Sequence, residues 1–75
     1  MEKEIYIQLL NEGTKVYRPV QGKEIESNRY EIKGNDIYNP DIEEWEFVPG
    51  SIVIVEQQMM EGDLVLVAVK EYVKD

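Results

Sequence analysis

Apolar and polar residues alternate near the start of the chain, where Ile5, Ile7 and Leu9 are separated by Tyr6 and Gln8 and preceded by Glu4. A period of two predicts a strand with one buried face. Gly13 and the nearby charges would also suit a helix over residues 2 to 10, and the alternation decides for strand. Asn11-Glu12-Gly13 then predicts a turn, and residues 14 to about 18 a second strand, which Pro19 either ends or marks as an edge because proline donates nothing to a ladder. After a polar connection over residues 21 to 28, Tyr30 and Ile32 predict a third strand, stopped at Gly34-Asn35-Asp36. Trp45 and Phe47 alternate with Glu44 and Glu46 as a short strand, and Pro49-Gly50 fits the middle of a type II turn. The clearest element is a hairpin. Residues 51 to 57 and 64 to 69 are rich in Val and Ile, and Glu61-Gly62-Asp63 gives the chain a place to reverse.

Residues 38 to 44 break this pattern. Asn39 suits a helix cap, with Pro40 in the first helical position and Asp41, Glu43 and Glu44 complementing the helix N-terminus, so at most one helical turn is expected near residues 40 to 44. Composition points the same way as the alternation: Ile and Val number 17, Ala and Leu together 5. β-Branched side chains pack well on a pleated surface and lose rotamer freedom in a helix. The expected fold is therefore mainly β, a single domain over residues 1 to 75 in the form of a small barrel or roll of about six short strands. Closing the sheet would hide its edges. The five glycines are read as isolated turn residues, one per chain reversal.

Charge narrows the range of partners. Lys and Arg number 8 against 16 Asp and Glu, a net charge of −8. Residues 1 to 34 are balanced, and residues 35 to 69 contain no Lys or Arg, so Asp36, Asp41, Glu43, Glu44, Glu46, Glu56, Glu61 and Asp63 supply the whole excess. Such a chain repels phosphate backbones, which disfavours direct binding to nucleic acid or anionic lipid and favours a basic protein partner. The longest apolar run, residues 64 to 69, falls far short of the roughly 20 residues of a membrane-spanning helix. No leader is recognised before it, and a cytoplasmic protein is the expectation.

Catalytic chemistry finds little support. The chain has no His and no Cys, which removes the imidazole base, the thiol nucleophile and the usual zinc ligands. Thr14, Ser27 and Ser51 have no evident activating base. Asp36, Asn39, Asp41, Glu43 and Glu44 crowd oxygen ligands together, but Pro40 interrupts them and no Gly serves the turn that a calcium loop requires. A non-enzymatic protein with no metal and no cofactor is expected.

Binding residues are sought among the aromatics and the acidic segment. Trp45 and Phe47 share a strand face and are read as core, because so small a domain needs their area inside. Tyr6 and Tyr17 fall on the outward positions of their strands. Arg18 is expected to pair internally with a Glu. One of Met59 and Met60 is read as covering the barrel's open end, with an adaptable contact patch formed by both as the alternative. The candidate partner-binding set is Tyr17, Arg18, Tyr38, Asp41, Glu43, Glu44 and Glu46.

Two stretches carry a resemblance. Glu12-Gly13-Thr14-Lys15-Val16-Tyr17-Arg18-Pro19-Val20 and Glu44-Trp45-Glu46-Phe47-Val48-Pro49-Gly50-Ser51-Ile52-Val53 together resemble a group of small uncharacterised bacterial proteins. The resemblance implies a bacterial protein with an SH3-like β-barrel and carries over no functional residue. Three functional classes follow from the reading as a whole. The first is a protein-interaction module with a basic partner, open to homo-oligomerisation through exposed strand edges. The second is an acidic inhibitor or immunity-type protein that blocks a basic nuclease or nucleic-acid-binding protein by mimicking phosphate charge. The third is an accessory domain of an enzyme with no active site of its own.

Overall fold

A computed structural model describes residues 2 to 73. Six strands follow in chain order among the described residues: β1 (Glu2–Leu10), β2 (Val16–Glu26), β3 (Arg29–Ile32), β4 (Glu44–Trp45), β5 (Ile52–Met60) and β6 (Asp63–Glu71). None of these residues is helical. The opening alternation holds, since Ile5, Ile7 and Leu9 of β1 are buried while Tyr6 and Gln8 are not.

The strands close into a ring. β1 pairs with β2, β2 with β3, β3 with β5 and β5 with β6, all antiparallel, and β6 returns to β1 in parallel through Ile5 opposite Leu66 and Tyr6 opposite Val67. Four successive reversals leave β6 running in the direction of β1, so the closing pair has to be parallel. The result is the expected small all-β barrel or roll. β4 is an addition to the ring, joined to the end of β1 by Leu9 opposite Trp45 and Leu10 opposite Glu44. Ile5, Ile7, Val20, Ile32, Trp45 and Val53 lie at the centre of one core cluster.

β2 departs from the sequence reading. It does not end near Arg18: the polar stretch expected as a connection is the second half of the strand. The first half pairs with β1 and the second with β3, so one long strand serves two neighbours. The C=O of Gln21 accepts from Lys33 N–H at 2.9 Å, turning alternate backbone groups of β2 away from β1. Pro19, two residues earlier and opposite Tyr6, therefore directs its ring nitrogen to the unpaired side, and the missing N–H leaves no ladder bond unmade. The expectation of an edge is met while the strand continues.

Gly22 is likewise no turn residue. It sits within β2 opposite both Lys3 of β1 and Ile32 of β3, where the strand passes from one neighbour to the other. A Cβ there would lie 2.6 Å from Ile5 Cγ1. The absent side chain lets the strands approach at this corner.

The remaining turns follow their residues. Ser51 N–H bonds to Val48 O at 3.1 Å and Gly50 has φ of 94°, which makes the expected type II turn with Pro49 at its second position. Asn39 closes a single turn: its Oδ1 accepts from Asp41 N–H at 3.0 Å and its C=O from Ile42 and Glu43 N–H at 3.0 and 2.9 Å. Phe47 lies just past β4, yet it reaches the core with Trp45 as expected. The last hairpin is longer than its Val and Ile content predicts, because Gln58, Met59 and Met60 pair with Val65, Leu64 and Asp63. Its two-residue turn, Glu61-Gly62, has φ of 51° and 88°, the signs of type I′.

Candidate interaction groove

The seven residues singled out from sequence divide into two groups of three, with Asp41 apart from both. Arg18 lies on the inward side of β2, opposite Ile7, and at the barrel's end its Nε donates to Glu43 Oε1 at 2.8 Å. The same oxygen accepts from Trp45 Nε1 at 3.2 Å. Trp45 is only 2% exposed, so its indole N–H needs a partner, and Glu43 supplies one while the guanidinium balances its charge. Tyr38 packs on Trp45 with ring centroids 4.8 Å apart and planes tilted by 58°. Arg18, Tyr38 and Glu43 thus form a plug over the tryptophan, and the internal pairing expected of Arg18 is found. Asp41 is exposed in the turn that follows Asn39.

Tyr17, Glu44 and Glu46 belong to the outer surface. Glu46 N–H bonds to Gln8 O at 2.9 Å and Gln8 lies opposite Tyr17, so Glu46, Gln8 and Tyr17 form one row across three neighbouring segments. Glu44 accepts from Asn11 Nδ2 at 2.6 Å. The acidic segment therefore does not present a single face: Glu43 turns to the plug, Glu44 of β4 and Glu46 just past it are exposed on the outer side, and Glu61 and Asp63 ride on the hairpin.

Between the hairpin and the outer surface of β1 and β2 runs an open groove of about 450 Å³. Tyr6, Tyr17 and Lys15 line one side, and Met60, Glu61, Asp63 and Val65 the other. It exists because β6 touches β1 through only two register pairs, leaving the hairpin's tip to run on beyond the barrel. Two aromatic rings, two carboxylates and a single ammonium group line it. This arrangement suits a ligand that is apolar in part and positively charged. Tyr6 and Tyr17 were legible as outward aromatics. The contribution of Glu61, Asp63 and Met60 was not, because the residues joining them to the tyrosines are more than forty positions apart in the chain. Met59 and Met60 do not cover the barrel's end: Met59 is 64% exposed, Met60 lines the groove, and neither belongs to the core cluster.

No group of three or more Asp or Glu among the described residues is placed to hold a metal ion, and no helix among them is long and apolar enough to cross a membrane. Three ion pairs occur among the described residues, Arg18 with Glu43, Arg29 with Glu26 and Lys33 with Glu31, so the carboxylates of the groove carry no ion pair within the barrel. Arg29 also lies 4.2 Å above the ring of Tyr72. Comparison with known protein families, with curated proteins and with solved structures gives no match to this chain.

Proposed function

We propose that the protein is a non-enzymatic interaction module, SH3-like and cytoplasmic, that binds a basic segment of another protein in the groove between β1, β2 and the β5–β6 hairpin. The observation that carries this reading is the meeting of Tyr6 and Tyr17 with Glu61 and Asp63 across one open groove. Aromatic faces attract cationic side chains and bury their methylene stems, while carboxylates select for positive charge and speed encounter. Glu44 and Glu46 extend the negative potential along the neighbouring strand. The reading keeps the bacterial family resemblance as its background and needs no catalytic group.

The test is binding of a Lys- and Arg-rich peptide, followed residue by residue in solution. Perturbations centred on Tyr6, Tyr17 and residues 60 to 65 that fade as salt rises are expected. Reversing both hairpin charges, Glu61→Lys with Asp63→Lys, is expected to weaken binding about tenfold, the effect of two partly exposed charge contacts. Binding that ignores salt and the double reversal sinks the proposal. Competition separates the inhibitor reading: a phosphate mimic bound to a nuclease is displaced by excess nucleic acid, whereas a module bound to an unrelated basic segment is not.

A further inference from the structure

The tip of the β5–β6 hairpin carries an open strand edge with an unusual property. Val55 N–H bonds to Asn28 O at 2.9 Å, while Ile52 O accepts from Tyr72 N–H at 2.8 Å on the β6 side. Backbone groups alternate along a strand, so odd-numbered residues of β5 point away from β6. Beyond Val55 no strand lies on that side among the described residues, because β3 pairs only with residues 52 to 54. Gln57 and Met59 therefore present two N–H and two C=O groups to an edge that no described strand occupies. Two other free edges among the described residues are closed to such pairing: β2 carries Pro19 on its free side and β4 is two residues long.

We infer that this edge is the contact between two copies of the chain, joined antiparallel about a two-fold axis at Gln58. Only this register uses all four groups. With the axis at Gln58, Gln57 of one copy faces Met59 of the other, and the pair exchanges both backbone hydrogen bonds twice over. An axis at Gln57 would set Met59 against Val55, whose N–H is already bonded to Asn28, and an axis at Met59 would set Gln57 against Glu61, which has turned out of the strand with φ of 51°. Charge agrees with the geometry. Residues 57 to 60 are uncharged, Glu56 faces Met60 of the second copy, and no carboxylate faces another.

The side chains support the same occupant. Met59 and Leu64 are cross-strand partners, 64% and 65% exposed. They belong to a pair without mutual backbone bonds, where side chains approach most closely. In the dimer that apolar pair continues across the new ladder to Gln57 and Leu66 of the second copy, so four strands share one face. An exposed, uncharged edge of this kind is a template for strand addition. Because each copy carries a charge of −8, self-repulsion opposes the association and salt relieves it. Binding of a basic peptide has the opposite salt dependence, so the two proposals fail separately.

The experiment uses the whole protein at micromolar to millimolar concentration in sedimentation equilibrium, at low and high salt. A reversible monomer to dimer transition that tightens with salt is expected. Met59→Pro removes an N–H that the barrel itself does not use, so it is expected to leave the unfolding temperature close to that of the parent and to weaken the dimer about thirtyfold, the effect of two lost hydrogen bonds. The chain has no Cys, which permits an independent check. Gln58→Cys places two thiols opposite each other at the axis and is expected to form a covalent dimer under mild oxidation, whereas Glu56→Cys does not. A protein that stays monomeric at every salt concentration, or a Gln58→Cys variant that cross-links no faster than Glu56→Cys, overturns the inference.

Discussion

Gly22 shows how one residue sets the shape of the barrel. Its position opposite Lys3 and Ile32 lets β2 belong to two pairings, and the space a side chain would occupy is taken by Ile5, itself completely buried. Gly22→Ala is expected to destabilise the fold by about 1–3 kcal/mol, because the added methyl forces buried backbone and Ile5 apart; denaturant unfolding measures it. An unchanged midpoint would show that the corner opens without cost. Gly22 looked like the other glycines in the sequence because the chain carries no local mark of a close approach between strands. Glu43 behaves in the same way. Its charge is plain in the sequence, but its bonds to Arg18 and to the indole of Trp45 depend on residues brought together by the closed sheet. A carboxylate offered as a partner contact also forms part of the cover over the core.

At the scale of elements, strands whose apolar residues alternate are easily read and strands with another composition are not. β1 and β3 bury one face and leave the other partly exposed, and their periods of two survive intact. β2 has a polar second half because its outward residues Gln21 and Lys23 are exposed and its end, from Glu24 to Glu26, runs past the core. The apolar run in β6 has a different cause. Ala68 joins the core opposite Val55, whereas Val67, equally buried, lies on the other face beside its partner Tyr6. A strand covered on both sides loses its alternation. The hairpin turn is a further element with a testable weakness. Glu61 holds a positive φ that non-glycine residues adopt at a cost, and Asn tolerates it better. Glu61→Asn is expected to raise stability by about 1 kcal/mol. It also removes a groove carboxylate, so weaker binding of a basic peptide together with a higher unfolding temperature would separate the two roles of this residue.

For the whole molecule, net charge matters more than any single pair. A charge of −8 on 75 residues acts against compaction, and the three ion pairs among the described residues sit at partly exposed positions where each contributes little. Raising salt is therefore expected to raise the unfolding temperature by several degrees, the shift that about 1 kcal/mol produces in a domain of this size. Thermal melts at low and high ionic strength check this, and a fall in the unfolding temperature would mean that the ion pairs outweigh the repulsion.

The sequence by itself determined the strands with alternating faces, the turns at Asn39, Pro49-Gly50 and Glu61-Gly62, the core role of Trp45 and Phe47, and the sign of the charge, because each rests on neighbours a few residues apart. Only the tertiary structure decided that β2 spans two pairings, that Gly22 is a corner, that the eight acidic residues of 35 to 69 are dispersed, and that Tyr6 and Tyr17 meet Glu61 and Asp63. Those outcomes depend on closure of the ring through β1 and β6, a contact between residues about sixty positions apart, which no local pattern encodes.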